Sequence, residues 1–309
     1  MPVQGPIHVD KPLSNISIGY KSEGLIADQL YPAVPVQHES DVYFVFDKAA
    51  ALRTPQSLRA NGSEANEDNL VLSTASYRLE EFALKDILSD RDRDNQDPGL
   101  NLQVAMVEDL TDKILRQREI DAATQVFTNG NWANESSLAA TAAWSANTTL
   151  SNPILVAMSA SADILTNCGR MANTCVLDNR TFLAVREHTS VVDRIKYTSA
   201  DSVSEGMIKN LFGVQKLLVA RGTQNTASEN LAAVMAPIWT DSAWFGYLAQ
   251  SPSLRNPSAL YAMKKSGGGA QVKRWRDDAR NGEWLEVSHM YDHIAPATDA
   301  GYLVVNTVQ

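Results

Sequence analysis

Two histidines, His289 and His293, stand four residues apart with Asp292 between them. On a helix that spacing puts both imidazoles on one face, within reach of one metal ion. On a strand it separates them by about 13 Å. The alternation before them and Pro296 after them favour strand or turn, so no ligand pair is expected. Glu80 and Glu81 fall on a predicted strand, where adjacent carboxylates face opposite sides and cannot share a proton-transfer task. Cys175 is followed by Val176 and Leu177, which marks a buried structural thiol rather than a nucleophile. The acidic run Ser89–Asp97 lacks the closing Glu and the spacing of a calcium loop. Capping and dipole effects at a helix start explain its aspartates. Gly267, Gly268 and Gly269 follow their lysines, the reverse of a phosphate loop. There is no G-x-S-x-G and no H-E-x-x-H. No catalytic centre, cofactor or metal is expected.

The other charged groups of note have positions suited to contacts between surfaces. Arg118 and Asp121 fall toward the apolar side of a long predicted helix, where a charge needs a partner or a route to water. Either they pair with each other, or each contacts another segment or subunit. Arg53, Arg59, Glu64, Glu67 and Asp68 crowd a polar, turn-rich insert between two predicted strands. They are candidates for ion pairs between subunits. Lys273-Arg274-Trp275-Arg276 is the densest basic cluster, but Asp277 and Asp278 follow at once, so a solvated strand or turn is expected there.

The elements that must hold these groups can be read in order. Prolines 2, 6, 12, 32 and 35 make residues 1–40 an arm without a core of its own, with a short helical piece at Gly24–Leu30. Asp41–Phe46 is a strand whose mate is placed near Asn69–Ser73. Two strands alone are marginally stable in water, so the ribbon is expected to lean on a neighbouring molecule. Tyr77–Lys85 is a further strand. Asp97–Thr128 is the longest helical pattern, opened by Asp97-Pro98 and stopped by Asn129-Gly130. Leu100, Val104, Val107, Leu110, Ile114, Ala122 and Val126 share its apolar side, while Glu108, Asp112, Arg116 and Glu119 point elsewhere. From Asn152 onward helices alternate with strands: helices at Pro153–Thr166, Asp178–Arg186 and Val203–Leu211, strands at Thr174–Leu177, Val214–Val219 and Leu231–Thr240. A hairpin turns at Asn281-Gly282, and Tyr302–Val308 is a last strand.

The chain has 309 residues, 27 basic and 36 acidic, for a formal net charge of −9. Such a field does not attract a phosphate backbone. Two cysteines make no disulfide framework, and neither a membrane span nor a signal sequence is evident.

The order of parts is the strongest pointer: arm, projecting two-stranded insert, strand, long helix, compact α/β unit, and closing strands that rejoin the strand–helix region. It resembles the major capsid protein of tailed bacteriophages, the Hong Kong ninety-seven capsid fold. Tyr77-Arg-Leu-Glu-Glu-Phe-Ala-Leu leading into Ser89–Asp97 is similar to the segment after the family's extended loop, and Arg116-Gln-Arg118-Glu119-Ile-Asp-Ala122 resembles the signature near the end of its spine helix. The resemblance implies an α+β fold with an N-terminal arm (1–40), an extended loop (41–75), a peripheral domain with the spine helix (76–151), an axial domain (152–268) and a return to the peripheral domain with a C-terminal strand (269–309). It implies self-assembly into pentamers and hexamers that form an icosahedral head shell around packaged double-stranded DNA. Assembly would take place in the host cytoplasm, with the virion as destination. Implied partners are a separate scaffolding protein, since the chain begins almost at the arm, and a portal protein, with room for a decoration protein. Some relatives cross-link through a loop lysine. Here the loop offers only Lys48, near its base, and no cross-link is expected. The rival readings are an encapsulin-type compartment shell and, from another class, a carboxylate-dependent hydrolase.

Overall fold

The computed structural model describes residues 8–9, 24–45, 49, 52–69, 72–95, 101–196, 203–253, 256–266 and 270–309. Most of the expected arm, the helix start Asp97-Pro98, Lys48 and the glycine link 267–269 lie outside the described residues.

The long helix runs Leu102–Phe127, 26 residues or about 39 Å. Asn101 caps it by accepting the Val104 N–H. Its first half lies on a six-stranded sheet, where Val107, Leu110 and Ile114 pack against Val272, Leu285 and Val287. Its second half buries Ala122, Ala123 and Val126 in a separate, larger core. One helix therefore spans two hydrophobic cores.

The first sheet is built around the strand Gly282–Ile294. Ala270–Asp277 pairs with it through the expected hairpin, whose turn residue Asn281 has φ +46°. Glu80–Ser89 runs antiparallel along it, and Tyr261–Lys265 pairs with its last residues. Because Tyr291 pairs with both Glu80 and Lys264, those two strands lie on opposite edges. Ala33–Val36 extends the sheet in parallel beyond Tyr261–Lys265, and His8–Val9 borders Ala270–Asp277.

The second sheet has the spatial order Asn134–Ser137, Gly301–Val305, Ser242–Gly246, Thr174–Asp178, Lys216–Ala220. Thr174–Asp178 and Ser242–Gly246 are buried throughout. Helices Pro153–Cys168, Asn179–Glu187 and Glu205–Phe212 contribute to the same core. Asn152 caps the first of these, and Gly169, at φ +70°, ends it in the left-handed conformation. Gly246 and Gly301 are needed for close packing: a Cβ there would stand 2.1 Å from the Trp244 ring and 2.2 Å from the Trp132 ring. Those two indoles are 5.2 Å apart.

Several expectations change. The final strand joins the second sheet beside Ser242–Gly246, and Tyr261–Lys265, which falls within the expected axial stretch 152–268, joins the first. The two sheets therefore draw on both halves of the chain and do not follow the sequential division. The strand expected at Leu231–Thr240 shrinks to Met235–Pro237, paired with Thr223–Asn225. Leu231 and Val234 are exposed there, so no core holds them extended. The ribbon's second strand is Ser73–Arg78, later than expected, because Tyr77 pairs with Asp41 and donates its hydroxyl to the His38 carbonyl.

Candidate functional site: the arm seat and the exposed ribbon

The described end of the arm is held by the second half of the long helix. Glu119 is fully buried. Its carboxylate accepts the Ile26 N–H at 3.0 Å, the Ala27 N–H at 2.8 Å and the Trp239 indole N–H at 2.6 Å. One carboxylate thus ties the spine helix to the arm helix Ala27–Leu30 and to the second core. Burial pushes its pKa up, and the three donors and Arg118 oppose that rise. The expectation that Glu119 points away from the packed side is wrong. The helix buries a wider arc here because the arm packs on it, and that partner lies 93 residues upstream.

Arg118 and Asp121 do not pair with each other. The Arg118 guanidinium, only 3% exposed, bonds Asp28 of the arm, donates to His293 Nε2 at 3.2 Å and lies 5.2 Å from the Tyr291 ring. Lys264 reaches the same Asp28 carboxylate at 3.1 Å. Asp121 accepts instead from Gln117 and from the Tyr291 hydroxyl. Tyr31 stacks on His293 with ring centroids 4.1 Å apart and donates to Gln125 at 2.7 Å. Of the two readings left open by the sequence, contact with another segment is therefore the one found.

His289 and His293 lie on the central strand of the first sheet, as strand periodicity requires. Burial, with Arg118 and Lys264 nearby, lowers their pKa values to about 4 and about 3, so both are neutral at physiological pH. Cys168 and Cys175 are both buried. Ser89 caps the short helix Asp90–Asp94, and Arg276 grips Asp90 with two bonds of 2.7 and 2.6 Å.

The loop candidates stand apart from this cluster. Ser40–Val45 and Ser73–Arg78 form a two-stranded ribbon. Tyr43 and Tyr77 turn toward the body, while Val42 and Phe44 remain more than half exposed. Residues 52–69 are exposed along their whole length. Arg59 donates to the Ser63 carbonyl across the turn at Gly62. Arg53, Glu64, Glu67 and Asp68 form no ion pair among the described residues.

No protein-family model matches the chain. The major capsid protein of Burkholderia phage BcepMu is 26% identical over 308 residues, covering 96% of this chain and 95% of that protein. The major capsid protein of Pseudomonas phage JBD67 is 25% identical over 309 residues, 98% of each. Among solved structures, a phage-related protein from Bordetella bronchiseptica RB50 superposes with TM-score 0.76 at 23% identity, over 98% of this chain and 99% of that one. The capsid of cyanophage P-SCSP1u superposes with TM-score 0.62 at 13% identity, over 93% and 89%. The chain is therefore similar over its whole length to phage major capsid proteins, and its fold is the Hong Kong ninety-seven capsid fold. The likeness runs nearly end to end. The expected α+β class holds, and the phage shell is favoured over both rival readings.

Proposed function

We propose that this capsid protein closes its shell by laying the ribbon and loop of each copy on a neighbour, in pentamers and hexamers around packaged double-stranded DNA. The observation that carries this is the ribbon: two strands with Val42 and Phe44 facing solvent and a wholly exposed loop. Such an element gains too little from its own chain to be ordered alone. Arg53, Arg59, Glu64, Glu67 and Asp68 are the proposed intersubunit charges. One exposed pair contributes only about 0 to 1 kcal/mol, but closed symmetry repeats each contact over the shell. Arg118 and Asp121 act one step back, holding the residues from which the arm leaves. The role is structural, without catalysis. Scaffolding and portal proteins, and a decoration protein where present, are the proposed partners, with assembly in the host cytoplasm. Deleting Pro55–Glu67 tests the reading. The expected product is a folded chain that forms no shells. Normal particles by negative-stain microscopy refute it.

A further inference from the structure

The first sheet packs the long helix through Val272, Leu285 and Val287. On its other face, near the start of the central strand, Trp275 and Trp284 stand opposite each other in register with rings 6.3 Å apart and 22° from parallel. Lys85, exposed on the adjoining strand, holds its ammonium 4.7 Å from the Trp284 ring centre and 5.9 Å from that of Trp275. Arg280 covers Trp284 at 5.1 Å. The neighbouring cations are paired: Lys273 with Glu286 and Glu81, Arg276 with Asp90 and Asp278, and Arg280 with Asp277. Among the described residues, Lys85 has no carboxylate partner. An exposed ammonium held over two half-buried indoles is a pre-ordered receptor for a carboxylate, because the rings fix the lysine stem and leave its remaining donors free.

Unpaired carboxylates are present at Glu64, Glu67 and Asp68, all exposed in the loop. Within one copy the two groups lie at different ends of the sheet. The ribbon joins the sheet where Arg78 N–H donates to Asp292, eight residues along the central strand from Trp284, or roughly 26 Å. At the foot of the loop, Leu52 lies beside Gly169, on a helix of the other core. We propose that the Trp275–Trp284–Lys85 platform receives the acidic side of the loop from a second copy of the chain. This rests on the reading of the loop as an intersubunit element and names its receptor. A nucleic acid suits the platform less well: a phosphate backbone needs a run of free cations, and here all but one are paired within a chain of net charge −9.

The test is a charge exchange in the full-length chain, expressed with its head-assembly partners. Particle yield is read by sedimentation and negative-stain microscopy, and folding of the soluble chain by circular dichroism. Lys85→Glu and the double change Glu64→Lys with Glu67→Lys are each expected to cut the yield at least tenfold without altering the melting curve. Combining all three is expected to restore most of it. Wild-type yield from Lys85→Glu, or a combination no better than its parents, overturns the proposal. If Lys85→Glu shells form normally but retain less DNA, the platform serves nucleic acid and the proposal is equally overturned. Failure of the receptor is distinguishable from failure of the loop reading: normal shells from the Pro55–Glu67 deletion defeat the loop reading itself. Loss of shells in that deletion alone, with Lys85→Glu normal, defeats only the receptor.

Discussion

Glu119 gathers three buried donors onto one side chain. Its three donors, Ile26 N–H, Ala27 N–H and Trp239 Nε1–H, are sealed from water. Glu119→Ala leaves all three unpaired, and a buried unpaired donor costs about 1 to 3 kcal/mol. We expect a loss on the order of 3 kcal/mol or more in urea unfolding of the unassembled chain, and a smaller loss for Glu119→Gln, which keeps one acceptor. Gly301→Ala tests the opposite fault, overfilling. Its Cβ would sit 2.2 Å from Trp132, whose indole N–H is fixed on the Val126 carbonyl, so the ring cannot withdraw freely. A loss of about 1 to 3 kcal/mol is expected, read as a lower melting temperature.

The arm seat is the element whose strength depends on acidity. His289 and His293 have folded pKa values lowered to about 4 and about 3 by burial and by Arg118 and Lys264. The unfolded chain takes up protons near pH 6.5, while the folded chain refuses them until far lower. Their contribution is therefore complete above pH 6.5 and lost as pH falls through 4 and 3. Burial works to raise the Asp28 pKa, but Arg118 and Lys264 prevail and bring it to about 2, so its contribution is also lost in acid. Glu119 runs the other way, since its raised pKa favours protonation in the folded chain, and it moderates the loss. The expected result is weaker amide-exchange protection at Ile26 and Ala27 as pH drops from 6.5 toward 4. His289→Gln combined with His293→Gln should flatten that dependence. Unchanged protection across the range would sink the argument.

At the scale of the whole molecule, acidity and two cores joined by one helix set the behaviour. A net charge of −9 does not draw a phosphate backbone to the chain. The unassembled chain is expected to leave duplex DNA unshifted in gel electrophoresis at about 0.15 M salt, where charge acts over only about 8 Å. The long helix joins the two cores, packing on Val272, Leu285 and Val287 at one end and beside Trp239 at the other.

The sequence alone determined what local patterning can determine. The long helix and the Asn281-Gly282 hairpin follow from periodicity and turn chemistry. These depend on neighbours within a few residues. The order of such parts was enough to point to the capsid fold. What the sequence hid are the partnerships across long separations. Glu119 reads as a polar helix position until Ile26 and Trp239 arrive. The strands Ser242–Gly246 and Gly301–Val305 meet only through sheet pairing, and Lys85, Trp275 and Trp284 converge from strands nearly 200 residues apart. Only the tertiary structure decides these, because the free energy that selects a partner comes from burying both members together, and neither carries that information in its own surroundings.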